Sequence, residues 1–366
     1  MWKLPEFLDY FLAKVYYRFM SPAKKSAVKI IECEGYIPRS SGRKTGLYLL
    51  IFIGLFLCFF PFFAFARGTT ERNNELTIYS IRGPSGVGLI RLFEEPPELS
   101  GFNVRVEALA SADLMAARFI SGEARMGILP PNMAAKIASS GIDIRAAAVI
   151  GTGMLNLLSS DPNVQNLDDL RGKTVEIAGQ GATPDFVFRR ILNFNGINPE
   201  RDLTLGFALA PPAIAQSLIA GRISNALLPE PFATMALSGR PDLRVIADIQ
   251  REWQRATGTD NFPMTLFVVD GAFADANPVI VREIVNAVQA SIEWVQVFPA
   301  EAGLLVEKHE LGIRADVAAA AIPRSNYVFI PAIQARPSLE ALFRVFLEND
   351  PVSIGGVLPG DRFYLE

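Results

Sequence analysis

Cysteine and histidine are scarce in this chain of 366 residues. The two cysteines, Cys33 and Cys58, both lie near the amino terminus, so the rest of the chain has no thiol with which to form a disulfide. The one histidine, His309, stands in a charged EKHE run that is typical of an exposed helix face. This composition does not support a Ser-His-Asp catalytic set or a zinc site, and we expect neither an enzyme nor a metal or cofactor.

Charged residues are unevenly distributed along the chain. Residues 1–45 hold nine Lys/Arg and four Asp/Glu, which leaves 26 Lys/Arg against 34 Asp/Glu after residue 66. The part after residue 66 therefore has a net charge of −8, although the whole chain has a net charge of only −3. An acidic globular part of this kind argues against nucleic-acid binding.

Residues 46–66, GLYLLIFIGLFLCFFPFFAFA, contain no charge. As a helix this segment would span roughly 30 Å, about one hydrocarbon core. The positive charge before it predicts that residues 1–45 are a cytoplasmic leader, unless Met20 is the true start. Two interpretations stay open, a retained transmembrane anchor and a signal peptide cleaved after Ala66. Lipid attachment at Cys58 is less supported, because bulky residues precede it.

The remaining chain contains an internal repeat. Residues 121–134, SGEARMGILPPNMA, correspond to residues 220–233, AGRISNALLPEPFA, at an offset of 99 residues. The correspondence continues upstream, where TIYSIRGPS at 77–85 answers VEIAGQGAT at 175–183. Each copy reads as strand, glycine loop, helix, strand, helix and strand, which is the alternation of an α/β domain with a parallel sheet.

Two such copies predict two lobes whose loops face a shared cleft at the carboxyl ends of the strands. We expect lobe 1 to comprise residues 67–155 and 264–366, and lobe 2 to comprise residues 156–263. The strands at 144–150 and 264–270 would make the two crossings between the lobes, which is the arrangement of a hinge.

Several motifs resemble those of a known family. They are GPSGVGL at 83–89, GILPPNMAA at 127–135, LPEPFAT at 228–234, FxxxNPxxV at 273–281 and GGVLPGDRFY at 355–364. Together they resemble the solute-binding proteins of ABC importers, in the branch that includes nitrate, alkanesulfonate, taurine and thiamine-pyrimidine binders. The resemblance implies the two-lobed periplasmic-binding-protein type 2 fold, preceded here by the amino-terminal apolar segment, and a permease with its cytoplasmic ATPase as partners.

The loops at the carboxyl ends of the strands are the candidate site. Residues 83–86 and 179–183 each lie between a strand and a helix, where free N–H groups can hold an anion or a carbonyl group, although ordinary capping explains the same residues. Glu230 offers a carboxylate to an amine or a ring N–H, or else caps the next helix. The predicted ligand-binding residues are Ser80, Arg82, Ser85, Gly86, Pro131, Asn132, Thr152, Asn156, Gln180, Gly181, Ala182, Thr183, Glu230 and Phe232. Trp253 is expected to be either a cleft wall or a surface anchor.

The sequence therefore predicts an extracytoplasmic, monomeric receptor that captures a small polar solute, either an organic anion or a heteroaromatic vitamin precursor. It would act at the outer face of the inner membrane, anchored there through residues 46–66 or secreted. A membrane-tethered sensor ectodomain is the alternative in another class. An enzyme of the same fold is a third interpretation, with less support because the exported part lacks a histidine or cysteine constellation.

Overall fold

The computed structural model describes residues 74–366, which belong to one compact unit. The predictions made for residues 1–45 and 46–66 therefore lie outside the described residues. Among the described helices, none combines the length and the apolar composition that a membrane crossing requires.

The first part of the described chain alternates strands with helices as the repeat predicts. Its elements are β1 (Asn74–Ile81), α1 (Pro84–Val87), β2 (Phe102–Leu109), α2 (Ala112–Ile120), β3 (Met126–Leu129), α3 (Pro131–Ser139) and β4 (Ile144–Thr152). Ser111 caps α2, because its side chain accepts a hydrogen bond from the Leu114 N–H.

The second part follows after a link of only two residues. Its elements are β5 (Leu155–Ser159), β6 (Thr174–Ile177), α4 (Thr183–Phe194), β7 (Thr204–Gly206), α5 (Pro211–Ile219), β8 (Asn225–Pro229), α6 (Phe232–Gly239), β9 (Arg244–Asp248) and α7 (Ile249–Thr257). Asp248 caps α7 by accepting the N–H groups of Gln250 and Arg251.

The carboxyl-terminal part is mostly helical. Its elements are β10 (Pro263–Asp270), α8 (Gly271–Ala276), α9 (Pro278–Val297), α10 (Pro299–Lys308), α11 (Ala315–Ala321), β11 (Asn326–Pro331) and α12 (Ala332–Asn349), with short 3₁₀ turns that include Ile322–Arg324.

The strands form two sheets that repeat one topology. The first sheet has the order β11-β4-β10-β3-β1-β2, and the second has the order β7-β6-β8-β5-β9. Within them, β3-β1-β2 and β8-β6-β7 are equivalent trios of parallel strands. The repeat predicted from the sequence is thus confirmed in the strand order. Both sheets are mixed rather than purely parallel, because β10 and β5 lie antiparallel beside β3 and β8.

The chain crosses between the sheets twice, once from β4 to β5 and once from β9 through α7 to β10. Leu155 already pairs in the second sheet and Pro263 in the first. The strands of the second sheet thus lie between residues 155 and 248.

The larger apolar core runs through both sheets, from β1 and β4 to β6 and the buried side of α4. A smaller core fills the space between β8, α5 and α6 on the other face of the second sheet. Both cores consist mainly of Leu, Ile, Val, Ala and Phe, and burial of such side chains is the main favourable term in folding.

The sequence pattern also predicts helices at 89–95, at 278–297 and, as the last helix, at 337–348, and the structure differs from the predicted elements in three respects. A helix expected at 89–95 is replaced by the four-residue α1 and a 3₁₀ turn at Ile90–Phe93. The last helix begins at Ala332 rather than 337, with Pro337 inside it. Strand β11 had no counterpart among the predicted elements.

Candidate functional site

The loops of both sheets meet at one region because of the strand directions. In the first sheet, β1, β3 and β4 end at the same edge, and the antiparallel β10 and β11 begin there, since Pro263 and Asn326 both pair with Thr152. In the second sheet, β6 and β8 end at the edge where the antiparallel β5 begins, since Leu155 pairs with Pro229. Gly153 and Met154 join the two edges directly.

Gly153 is required at this junction. Its φ is +62°, a left-handed conformation that L side chains rarely adopt. A Cβ there would lie 2.9 Å from Asn326 Nδ2 and would also collide with the side chain of Gln250. The first crossing is therefore packed by polar side chains from β11 and α7.

The loop after β1, together with the short α1 that follows it, is held by the neighbouring strands. Tyr327 of β11 donates its hydroxyl to the Pro84 carbonyl at 3.0 Å, and Thr265 of β10 lies 3.3 Å from Ser85 Oγ. Gly86 approaches the end of β1 so closely that a Cβ would collide with the Ile81 carbonyl and lie 2.8 Å from Ser80 Oγ. Since α1 has only four residues, this loop offers fixed side chains rather than the N-terminus of a long helix.

The loop between β6 and α4 is built differently. The Gly181 N–H donates to Asp185 Oδ2 at 2.9 Å, so that N–H group is already occupied. Thr183 begins α4 and is buried, whereas Gln180 is exposed. Of the predicted residues in this loop, Thr183 is the one whose side chain is enclosed by the protein.

Glu230 lies between the two halves of the site. Its side chain is 2% exposed, its backbone N–H donates to the Met154 carbonyl, and its Oε2 accepts the Thr234 N–H at 2.9 Å. Asn156 Nδ2 donates to Oε1 at 3.3 Å. Burial raises the pKa of Glu230, while hydrogen bonding from Thr234 and the charge of Arg324 oppose this rise. The capping role expected as one alternative is therefore present, since Glu230 caps α6.

Four of the predicted residues carry buried polar atoms that have no hydrogen-bond partner among the described residues: Ser80 Oγ, Asn132 Oδ1, Thr152 Oγ1 and Thr183 Oγ1. Ser80, Thr152 and Thr183 are 0%, 2% and 3% exposed. A buried polar atom without a partner costs free energy, so a group of them at facing loops calls for an explanation.

The other predicted residues fall into separate environments. Arg82 is exposed at the end of β1, and Pro131 is buried in the first turn of α3. Gly181 and Ala182 are half-buried in their loop. Phe232 packs in the smaller core and also lines a groove of about 330 Å³, together with Ile313 and Val317 from beyond α10.

Trp253 is neither a cleft wall nor a surface anchor, which corrects the sequence interpretation. It is fully buried in α7, its ring lies edge-on to Phe262, and its Nε1 donates to Thr259 Oγ1 at 2.9 Å. A tryptophan with a satisfied N–H group is stable in a core.

Three residues at this edge were not found from the sequence: Thr265, Tyr327 and Arg324. Thr265 and Tyr327 lie near the beginnings of antiparallel strands, whereas the sequence pattern predicts site residues at the carboxyl ends of strands. Arg324 precedes β11, a strand that the sequence pattern does not predict. Within residues 74–366, no three His, Cys, Asp or Glu side chains are placed to hold a metal ion.

Comparison with known proteins assigns the chain to a family. The model of the NMT1-like family matches residues 94–307, more than half of the chain. The chain therefore belongs to the NMT1-like family. No curated protein matches it in sequence.

Solved structures of ABC-transporter binding proteins share the fold. An ABC transporter protein from Parabacteroides distasonis is similar with a TM-score of 0.68 and 27% identity, over 80% of this chain and 99% of that one. The periplasmic aliphatic sulphonate-binding protein of Escherichia coli has a TM-score of 0.64 and 15% identity, over 80% of this chain and 92% of that one. The periplasmic nitrate-binding protein of Synechocystis has a TM-score of 0.55 and 14% identity, over 79% and 83% of the two chains.

Proposed function

We propose that this protein is the solute-binding receptor of an ABC-type importer. It captures a small polar organic solute, an organic anion or a heteroaromatic vitamin precursor, between lobes formed around its two sheets. We assign residues 67–155 and 264–366 to lobe 1 and residues 156–263 to lobe 2. Membership of the NMT1-like family and the fold shared with ABC-transporter binding proteins support this function.

The observation that carries the proposal is the set of unpaired buried polar atoms at the facing loops. Ser80, Asn132 and Thr152 come from the first sheet and its helices, and Thr183 comes from the second half. A hydroxyl can donate or accept a hydrogen bond, so these groups suit the polar atoms of a solute. Contacts from both lobes to one molecule favour the closed arrangement, which is how such receptors couple binding to closure.

The remaining residues define the surroundings of the solute. Glu230 and Asn156 present a carboxylate and an amide, and Ser85 and Gly86 form the wall opposite them. Arg82, Gln180, Gly181, Ala182, Pro131 and Phe232 complete the proposed site at its margins. We assign no catalytic residue and no cofactor.

We further propose that the receptor works as a monomer at the outer face of the cytoplasmic membrane. It is held there through residues 46–66 or secreted after their removal. Its partners are a membrane permease and the ATPase that drives it. The acidic balance after residue 66 gives no support to nucleic acid as a partner.

The first experiment is mass spectrometry of small molecules released by denaturation from residues 71–366, purified natively. The same compound, added back, should raise the thermal midpoint and return chemically unchanged, because a ligand that binds only the folded state stabilises it by mass action. A compound returned chemically altered would instead indicate an enzyme of this fold, and no retained or stabilising compound would favour the sensor.

The variants Thr152→Val and Thr183→Val provide a sharper test. Each removes a hydroxyl that has no partner within residues 74–366, so the free energy of unfolding should change little while retention of the compound falls. Ser338→Ala removes a hydroxyl of α12 that bonds the Ala335 carbonyl and should leave retention unchanged. Equal retention by all three variants would contradict the proposed site.

A further inference from the structure

An unpaired arginine lies at the carboxyl edge of the first sheet. Arg324 ends the 3₁₀ turn Ile322–Arg324, two residues before Asn326, which pairs with Thr152. Its side chain is exposed and forms no hydrogen bond or salt bridge with another described residue. Many other arginines of this part of the chain do form ion pairs, among them Arg145, Arg171, Arg189 and Arg240.

Arg324 and Glu230 lie at the same junction of the two sheets. The Glu230 N–H donates to the carbonyl of Met154, which with Gly153 forms the short link between β4 and β5. Arg324 precedes Asn326, which pairs with Thr152 at the start of the same link. The charge of Arg324 is close enough to oppose the rise in the pKa of Glu230. Among the described residues, however, the two side chains do not form a salt bridge. Arg324 of the first half and Glu230 of the second half are thus a cation and an acid near the same link that do not pair with each other.

The Arg324 guanidinium and the Glu230 carboxyl recognise different chemical groups. A guanidinium presents a planar fork of N–H donors that matches the oxygens of a carboxylate, sulfonate or phosphate. A buried glutamate accepts hydrogen bonds and is stabilised by a positive partner. Arg324 would otherwise be an ordinary solvated surface charge, but it lies two residues from Asn326, which pairs with Thr152, and its charge acts on the buried Glu230.

We propose that Arg324 binds an anionic group of the solute while Glu230 accepts an N–H of the same molecule. The solute then carries both an acidic group and a nitrogen donor, and Arg324 determines selection for the acidic group. This inference rests on the proposed receptor function and narrows it from any small polar solute to one bearing both groups.

The test uses the compound that the native protein retains, identified by mass spectrometry and added back as titrant to the emptied protein. Calorimetric titrations compare the wild type with Arg324→Gln and Glu230→Gln. We expect the compound to bear both groups and Arg324→Gln to raise its Kd about 10- to 100-fold, the usual effect of losing a charge-assisted hydrogen bond. Arg282→Gln is the matched control, since Arg282 is an exposed arginine of α9 near Ala274 and Pro278, at the opposite edge of the first sheet.

The outcomes separate this inference from the function on which it rests. A retained compound without an acidic group, or an Arg324→Gln Kd equal to those of the wild type and Arg282→Gln, would overturn the inference and leave the receptor function standing. If the wild type retains and binds nothing, the receptor function fails, and this inference fails with it. Thermal midpoints of the emptied variants show that each is folded.

Discussion

At the scale of single residues, Glu230 combines burial with hydrogen bonds from Thr234 and Asn156. Burial raises its pKa above the ordinary 4.5. The folded state therefore keeps this proton to a higher pH than the unfolded chain does. The stability that Glu230 contributes is fully present below pH 4.5 and is lost as the pH rises through the raised pKa.

We therefore predict that Glu230→Gln changes how stability depends on pH. Glutamine keeps an oxygen that can accept the Thr234 N–H but has no ionisation. The other carboxyls, among them Asp143 and Asp275, whose pKa values Arg145 lowers, affect both proteins equally and cancel in the comparison. The free energy of unfolding of the wild type should fall, relative to the variant, as the pH rises above 4.5 in urea titrations. A difference that stays constant with pH would contradict the assigned burial of the carboxyl.

Gly86 provides a second prediction at this scale. An alanine methyl would collide with the Ile81 carbonyl and crowd Ser80 Oγ, so the loop between β1 and α1 must move. We expect Gly86→Ala to lower the free energy of unfolding by about 1–3 kcal/mol and to weaken retention of the bound compound. Gly360→Ala is the control, because nothing lies within 4 Å of its Cβ. Equal denaturation midpoints for the two variants would show that the loop is not closely packed.

At the scale of elements, β11 fixes the beginning of α1. The Tyr327 hydroxyl donates to the Pro84 carbonyl, and burial raises the pKa of that hydroxyl well above its usual range. Tyr364 is also buried, but its hydroxyl has no partner among the described residues. Burial raises the pKa of Tyr364 to about 12. Tyr327 and Tyr364 are thus both buried, but of these two hydroxyls only that of Tyr327 has a hydrogen-bond partner among the described residues.

Paired Tyr→Phe substitutions measure that hydrogen bond. Tyr327→Phe should lower the free energy of unfolding by about 0.5–1.5 kcal/mol and weaken solute binding by releasing the loop. Tyr364→Phe removes an unpaired hydroxyl and should be neutral or stabilising. Both values come from urea denaturation with and without the retained compound. A loss for Tyr364→Phe as large as that for Tyr327→Phe would refute the role of the Pro84 contact.

The same elements explain what sequence reasoning could find. Long periodic segments were predicted well, and α9 spans the predicted residues 278–297. The strand β5 has only five residues and follows β4 after two residues, so the sequence pattern does not predict a separate strand there. In α12, Pro337 looked like a helix start because proline lacks an N–H, yet the helix begins five residues earlier and tolerates the missing bond.

The candidate site was predictable where parallel strands end and unpredictable elsewhere. Ser80, Asn132 and Thr183 follow or end such strands, and the repeat identified their loops. Thr265 and Tyr327 arrive on antiparallel strands whose first residues lie at the same edge. Their contribution depends on pairing between distant segments, which a single sequence does not encode locally.

At the scale of the whole molecule, α12 joins the two halves. It follows β11 of the first sheet, yet Phe346 packs on Phe186 of α4 with ring centroids 5.1 Å apart. Arg190 of α4 also lies 3.5 Å from the Glu348 carboxylate. The larger core is continuous through this contact, so the two halves should unfold together.

Truncation of Phe346 tests that coupling. Phe346 is fully buried, and Phe346→Ala should cost about 3–5 kcal/mol. Because the lost contacts join the halves, calorimetry should show the single transition of the wild type broaden or divide into two. Phe119→Ala removes a similar volume from α2, within the first half, and should lower the midpoint while the transition stays single. A single sharp transition for Phe346→Ala would mean that the two crossings at Gly153 and α7 suffice to couple the halves. In that case α12 would add stability without acting as their joint.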